Sequence, residues 1–247
     1  MNDKLRKERE REFHNKRFGA EHDIRQPLSK WYGALAAGTH AQDEMVRHYG
    51  SGAKVLEYGC ADVVDDQLVQ IAAHFHGIDI SDKAIEKARQ VCASRGLTNC
   101  EFTVMDAENL TFAGDEFDLV FGRGILHHLD LNKSFAEISR VLRPGGKAIF
   151  TEPLGHNPAI NLFRTMTPQY RTEDEHPLVM NDLKTARGVF HEVECKFFGL
   201  TTLIAVPFNG TAVGSAVMKF CERADSLLLR IPLIQRHAWS VLITLTK

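Results

Sequence analysis

The stretch Lys54-Val55-Leu56-Glu57-Tyr58-Gly59-Cys60-Ala61-Asp62 decides the fold. Val55 and Leu56 favour extended backbone, Glu57 places an acid at the strand's carboxyl end, and Gly59 opens a sharp turn. A helix-compatible run from Asp65 to His74 follows, and then a second strand, Phe75-His76-Gly77-Ile78-Asp79-Ile80, also ends in an acid. Asp79 stands twenty positions after Gly59. In a strand, turn, helix, strand unit that is where an acid hydrogen-bonds a ribose. The unit reads as the nucleotide-binding half of a doubly wound α/β fold.

The same alternation continues toward the carboxyl terminus. Ser81 is a good N-cap for an amphipathic helix running to Gly96. Glu101–Met105 reads as a third strand closing on Asp106, and Glu116–Phe121 as a fourth opening into Gly122-Arg123-Gly124. Residues 132–142 place Phe135, Ile138, Val141 and Leu142 on one helical face. Arg143-Pro144-Gly145-Gly146 reads as a turn, Lys147–Thr151 as a fifth strand, and Glu152-Pro153 follows it. Strands alternating with helices predict a mainly parallel sheet covered on both faces.

Beyond Pro153 the pattern changes. Residues 154–190 carry His156, Asn157 and Pro158, where the last two suit a helix start and His156 could face a substrate. Val193–Val206 reads as an irregular strand, Asn209-Gly210 begins a helical segment, and Trp239–Leu245 is a terminal strand. At the other end, Lys4–Glu12 alternates charge and reads in its first half as a solvated helix. Trp31 and Tyr32 precede the nucleotide-binding strand, where they could cap a pocket or staple the segment to the core.

Composition narrows the function. Hydrophobic residues make up 44% of the 247-residue chain and charged ones 25%, enough for one large domain or one domain with a cap. A formal charge of −2 supplies no basic field for a nucleic acid backbone. The five cysteines form no CxxC pair, so neither a disulfide framework nor a zinc site is signalled. No apolar run reaches membrane-spanning length and the charged amino terminus is no signal peptide, so the expected setting is cytoplasmic, with no membrane partner.

Five short motifs in order resemble the class I S-adenosylmethionine-dependent methyltransferases of small molecules. They are Val55–Cys60, Gly77–Ser81, Asp106–Leu110, Phe117–Val120 and Leu142–Gly146. The resemblance implies a Rossmann-like, doubly wound seven-stranded sheet, mostly parallel with an antiparallel last strand inserted beside the fifth, plus a small helical cap. Residues 1–50 would be an N-terminal helical lid and 51–153 the cofactor-binding core. Residues 154–236 would be a cap with the sixth strand, and 237–247 the terminal strand.

It also implies the cofactor, S-adenosylmethionine, with S-adenosylhomocysteine as product. Glu57 and the Gly59–Ala61 turn would approach its methionine part, Asp79 its ribose, and Ile80 its adenine. Asp106 and Ala107 would hold the adenine edge. Arg123 and Gly124 would line the floor, and Tyr32 would close over it. His128 and His156 are the candidate catalytic residues, while His127 reads as a helix-face residue. Some quinone-pathway members carry metal-binding carboxylates at the positions of Gly124 and His127; without them no metal is expected. The partner is a small, largely apolar methyl acceptor, and the protein a monomer or homodimer. Leu154, Ile160, Leu162, Phe163, Phe208, Val213, Val217 and Phe220, together with Trp31 and Tyr32, would roof the cleft, with Arg123, His128 and His156 as polar anchors.

One departure opens a second reading. Such methyltransferases usually show three glycines at the first turn, and here the positions read Gly59, Ala61 and Val63. Alanine is a small change if its φ is negative, but valine resists φ > 0. Asp62, Asp65 and Asp66 crowd carboxylates where the cofactor's own carboxylate would lie. A cofactor-binding protein with lost or repurposed catalysis is therefore the alternative. A nicotinamide-dependent oxidoreductase ranks third, because Gly-x-Gly-x-x-Gly is absent.

Overall fold

The computed structural model describes residues 3–20, 26–208 and 210–247. Seven strands form one sheet: β1 (Lys54–Tyr58), β2 (His74–Asp79), β3 (Cys100–Val104), β4 (Phe117–Arg123), β5 (Leu142–Pro153), β6 (Glu192–Phe198) and β7 (Ser240–Thr246). Their spatial order is β3-β2-β1-β4-β5-β7-β6. Strands β1 to β5 pair in parallel, with Leu56 beside His76 on one side and Val120 on the other. Strand β7 runs antiparallel between β5 and β6, as expected of the terminal strand.

Alternation along the strands builds two apolar layers. Val55, Leu119 and Ile149 turn to one face, where Leu68, Ile85 and Cys92 cover them. Leu56, Val120 and Phe150 turn to the other, beneath Phe135, Ile138 and Leu183. The covering helices are α1 (Asp3–Gly19), α2 (Ser29–Tyr32), α3 (Ala36–Gly50), α4 (Asp66–Ile71), α5 (Asp82–Arg95), α6 (Leu131–Val141), α7 (Pro158–Met166), α8 (Asp182–Ala186), α9 (Ala212–Leu228) and α10 (Pro232–Gln235). Side-chain caps start several of them: Asp65 accepts from Leu68 N–H at 3.1 Å, Ser81 from Ala84 N–H at 3.1 Å, and Asn157 from Ala159 N–H at 3.0 Å.

Three expectations change. Arg143–Gly146 is a bulge inside a longer β5, where the register with β4 jumps from Phe117–Leu142 to Leu119–Lys147; Gly145, at φ +78°, absorbs the extra residues. The sixth strand stops at Phe198, because Thr202–Phe208 coils into a 3-10 helix. Helix α9 starts at Ala212 behind a Thr211 cap, and Asn209 lies outside the described residues. Among the described residues, no helix is long and apolar enough to cross a membrane.

Candidate active site

The carboxyl ends of β1, β2 and β4 open into a cavity of about 720 Å³, the switch-point position at which doubly wound sheets hold ligands. Its wall contains Tyr32, Glu57, Gly59, Ala61, Asp79, Ile80, Asp106, Ala107, Arg123, Gly124 and His128. The structure thus brings all but one of the expected site residues together. The exception is His156, which is not among the lining residues; its Nε2 accepts the Met180 N–H at 3.1 Å. The neighbouring Asn157 caps α7 and donates to the His237 carbonyl at 2.6 Å, which accounts for this stretch structurally.

The first turn is built around Asp79. This buried carboxylate accepts the Ala61 N–H at 3.0 Å on Oδ2 and the Ser81 N–H at 2.8 Å on Oδ1, leaving a lone pair on each oxygen for a ligand. Burial raises its pKa, and the two N–H donors oppose that rise. Gly59 adopts φ +64°, and a Cβ there would come within 3.1 Å of Ile125. The concern over the turn falls on a different residue from the one expected. Ala61 carries the positive φ, +53°, whereas Val63 does not and is 69% exposed. The acids are also dispersed: Asp65 caps α4, Asp66 pairs with Arg95, and Asp62 lies 3.8 Å from Lys87. The backbone strain thus moves from Val63 to Ala61, and of the three acids Asp65 remains in the cavity wall while Asp62 and Asp66 turn to cations outside it.

Glu57 lines the same cavity with its pKa pushed up to about 8, chiefly by burial, with Arg123 drawing it down and Asp65 and Asp79 adding to the rise. Arg123 is held by Gln42, which accepts from its Nε at 2.7 Å, and by Asp43. Gln42 is fully buried on α3 and donates to the Gly122 carbonyl at 2.8 Å and the Ile149 carbonyl at 3.2 Å. Sequence reading passed over this amide, since a single Gln on an amphipathic helix carries no pattern.

Helix α1 is the larger surprise. Its first half is not solvated but pinned across the mouth of the cavity. Lys7 Nζ lies 2.8 Å from Asp106 Oδ2 and 2.9 Å from Glu108 Oε2. Arg6 donates to Glu108 at 2.5 Å and to the His128 carbonyl at 2.6 Å. Farther along, Asn15 accepts from Ser81 Oγ at 2.7 Å, and Arg11 pairs with Asp82, fastening the helix to the start of α5. Lys7 is raised above its ordinary pKa: burial opposes, but Asp106 and Glu108 prevail.

The loop after β4 carries the imidazoles. Glu152, fully buried, accepts the N–H groups of Ile125 and Leu126 at 2.9 Å each and faces His127 Nδ1 at 2.7 Å. Burial pushes this carboxyl up to about 7, against the pull of those donors. His127 is therefore a buried cavity residue, not a helix-face one, and its Nε2 lies 3.6 Å from Glu175. His128 presents Nδ1 to Glu10 Oε2 at 3.2 Å, with His14 3.6 Å from the same oxygen. Burial pushes Glu10 up, but the adjacent His128 and His14 imidazoles, with the Thr172 hydroxyl, outweigh it and hold the acid below the usual carboxylate range. Glu10, His14 and His128 each bring a possible ligand atom within 4.8 Å of the others. The loop sequence alone, on which the expectation of no metal rested, did not reveal this grouping.

The acceptor side is only partly as expected. Ile160, Phe163, Trp31 and Trp239 line the cavity, and the Trp31 and Phe163 rings lie 4.5 Å apart. Leu162, Phe208, Val213 and Phe220 face solvent, each at least 46% exposed, and so roof nothing. Helix α9 contributes its Cys221 and Asp225 side to the interior instead; Asp225 accepts the Leu200 and Thr201 N–H groups.

Residues 50–193 match the model of a family described as a methyltransferase domain. The chain is 35% identical over 114 residues to the aklanonic acid methyltransferase DauC of Streptomyces sp. (strain C5), covering 42% of this chain and half the length of that one. It is 27% identical over 193 residues to the ubiquinone biosynthesis O-methyltransferase of Sinorhizobium medicae, covering 66% of this chain and 77% of the relative. Among solved structures, the geranyl diphosphate C-methyltransferase of Streptomyces coelicolor, crystallised with Mg2+, geranyl diphosphate and S-adenosylhomocysteine, superposes with a TM-score of 0.63. It shares 12% identity and covers 98% of this chain and 97% of its own.

Proposed function

The chain belongs to the methyltransferase domain family, and on that premise we propose that it moves the methyl of S-adenosylmethionine to an O, N or C nucleophile of a small, largely apolar molecule. One observation carries the reading. A single cavity joins the Gly59–Ala61 turn, Asp79 and Asp106 to an apolar wall of Trp31, Ile160, Phe163 and Trp239. At about 720 Å³ it lies toward the upper end of the range for small-molecule sites, which suits a cofactor with an acceptor beside it.

The residues present fit the cofactor. The free lone pairs of Asp79 suit two ribose hydroxyls, and Gly59, at φ +64°, turns bare backbone toward the cavity. Asp106 serves the adenine edge and Glu57 the amino group of the methionine part. The sulfonium supplies an already activated methyl, so the protein's tasks are alignment, exclusion of water and, for an acceptor that must lose one, removal of a proton. Helix α1 serves as the lid: Lys7 occupies Asp106 and shifts or shares it when adenine enters. His128 is the proposed proton acceptor. With Nδ1 turned to Glu10, its Nε2 is left to take the proton, and the carboxylate stabilises the imidazolium that forms.

Incubating the protein with S-adenosylmethionine and a panel of small phenols, acids and amines tests this reading, with S-adenosylhomocysteine release as the signal. Acceptor-dependent release that falls at least tenfold in His128→Gln is expected. Binding of S-adenosylhomocysteine with no acceptor giving turnover would count for the repurposed module.

A further inference from the structure

The cavity holds a cation that the proposed methyl transfer does not use. Arg164, on the last turn of α7, lines it beside Phe163, and its Nη1 is shielded from solvent without a hydrogen-bond partner. Among the described residues, no carboxylate lies within ion-pair distance of it. Burial lowers its pKa to about 10, with Glu175 the charge that supports it. Arg171, one short 3-10 turn later, also lines the cavity, with its Nε buried and unpartnered. Its Nη2 donates to Thr167 at 3.0 Å and its Nη1 lies 3.6 Å from Glu175. Glu175 is shared between Arg171 and the His127 Nε2. Among the described residues of this corner, two guanidinium groups thus face the Glu175 carboxylate, and Arg164 is left without an ion pair.

A partly buried guanidinium without a counter-ion is costly, because it has given up water for nothing equivalent. Other cations on this cavity wall are paired closely, as Arg6 and Lys7 with Glu108 and Arg123 with Asp43. Arg164 lacks such a partner and sits next to the Trp31–Phe163 ring pair. Building on the methyl-transfer reading, we propose that Arg164, assisted by Arg171, is an anion subsite that anchors an acidic group of the acceptor while its apolar body lies against Trp31 and Phe163. Planar, fork-shaped recognition by guanidinium suits a carboxylate or a phosphate monoester. A single unpaired guanidinium matches a carboxylate, a monoanion at neutral pH, better than a phosphate monoester, which is then mostly a dianion. The acid is an anchor, not the methylated group, since an oxygen held by guanidinium loses the electron density it needs to attack.

The test uses the whole chain, saturated with S-adenosylhomocysteine and also without it, and three probes: 2-naphthoate, 2-naphthamide and phenyl phosphate. Tryptophan fluorescence reports binding, because Trp31 and Trp239, the chain's two tryptophans, both line the cavity. An anionic probe, 2-naphthoate or phenyl phosphate, is expected to bind at least tenfold tighter than the amide. Whichever anion binds tighter identifies the carboxylate or phosphoryl source. Arg164→Gln should erase the preference and Arg164→Lys restore part of it, both with S-adenosylhomocysteine affinity within twofold of the native chain. Equal binding of acids and amide, no binding of any probe, or a preference that survives Arg164→Gln would overturn the subsite. Failure of the native chain to bind S-adenosylhomocysteine would instead sink the methyl-transfer reading, and the probe series without it would still judge Arg164.

Discussion

Replacing Ala61 with glycine should stabilise this protein, although a core-proximal turn loses a methyl group. Ala61 sits at φ +53°, held there by the Asp79 carboxylate on its N–H at 3.0 Å. A left-handed conformation costs an L-residue about 1–2 kcal/mol, and glycine escapes that cost. Against it stands the greater freedom of glycine in the unfolded chain, about 0.4–1 kcal/mol. The difference favours Ala61→Gly by roughly 0.5–1 kcal/mol, or about 1–4 °C in melting temperature for a chain of this size. Val63→Gly is the control. Val63 has no positive φ to relieve, so the change should cost up to about 1 kcal/mol through chain entropy alone. Urea unfolding followed by tryptophan fluorescence measures both. Destabilisation by Ala61→Gly, or a gain from Val63→Gly, would show that the strain has been assigned to the wrong residue.

Three further outcomes follow from the site. Arg6→Ala with Lys7→Ala leaves Glu108 with a buried, poorly compensated charge, a loss of order 3–5 kcal/mol that undocking α1 avoids. Proteolytic cleavage within α1 should accelerate more than tenfold in that variant, and unchanged protection would contradict the lid. Glu57 keeps its proton up to about pH 8 in the free protein; an ammonium group bound beside it favours the charged form, so binding releases a proton. Affinity for S-adenosylhomocysteine should therefore rise from pH 6 to 8 and then level, and Glu57→Gln should flatten the profile; a flat native profile would refute the placement. Asn157→Ala removes the α7 cap and the bond to the His237 carbonyl; a loss of about 1–3 kcal/mol in chemical unfolding is expected, and a neutral result would contradict the structural role given to this stretch.

The sheet was legible because its signals are local. Apolar strands ending in Glu57, Asp79 and Asp106, with Gly59 between the first two, can be read within a window of ten residues. What escaped is non-local or conformational. Arg6 and Lys7 meet partners a hundred positions away, and charges alternating on a helix look the same whether water or Glu108 faces them. The spacing of Gly59, Ala61 and Val63 shows three positions in a turn, but only backbone geometry shows which one bears the positive φ. Hydrophobicity alone makes Val213 and Phe220 roof residues, yet the face of α9 that turns inward is decided by its packing on Thr202–Phe208 and by Asp225. Arg164 carried no signal either, since an arginine on a short amphipathic helix usually reaches water.

The central claim is tested most directly by titrating S-adenosylhomocysteine into the native chain and Asp79→Ala by calorimetry. Two hydrogen bonds from ribose to a carboxylate are worth about 1.5–3 kcal/mol each, and 1.4 kcal/mol corresponds to a factor of ten. Binding to the native chain with at least tenfold weaker binding to Asp79→Ala is the predicted result; no binding to the native chain, or equal binding to both, would contradict the account.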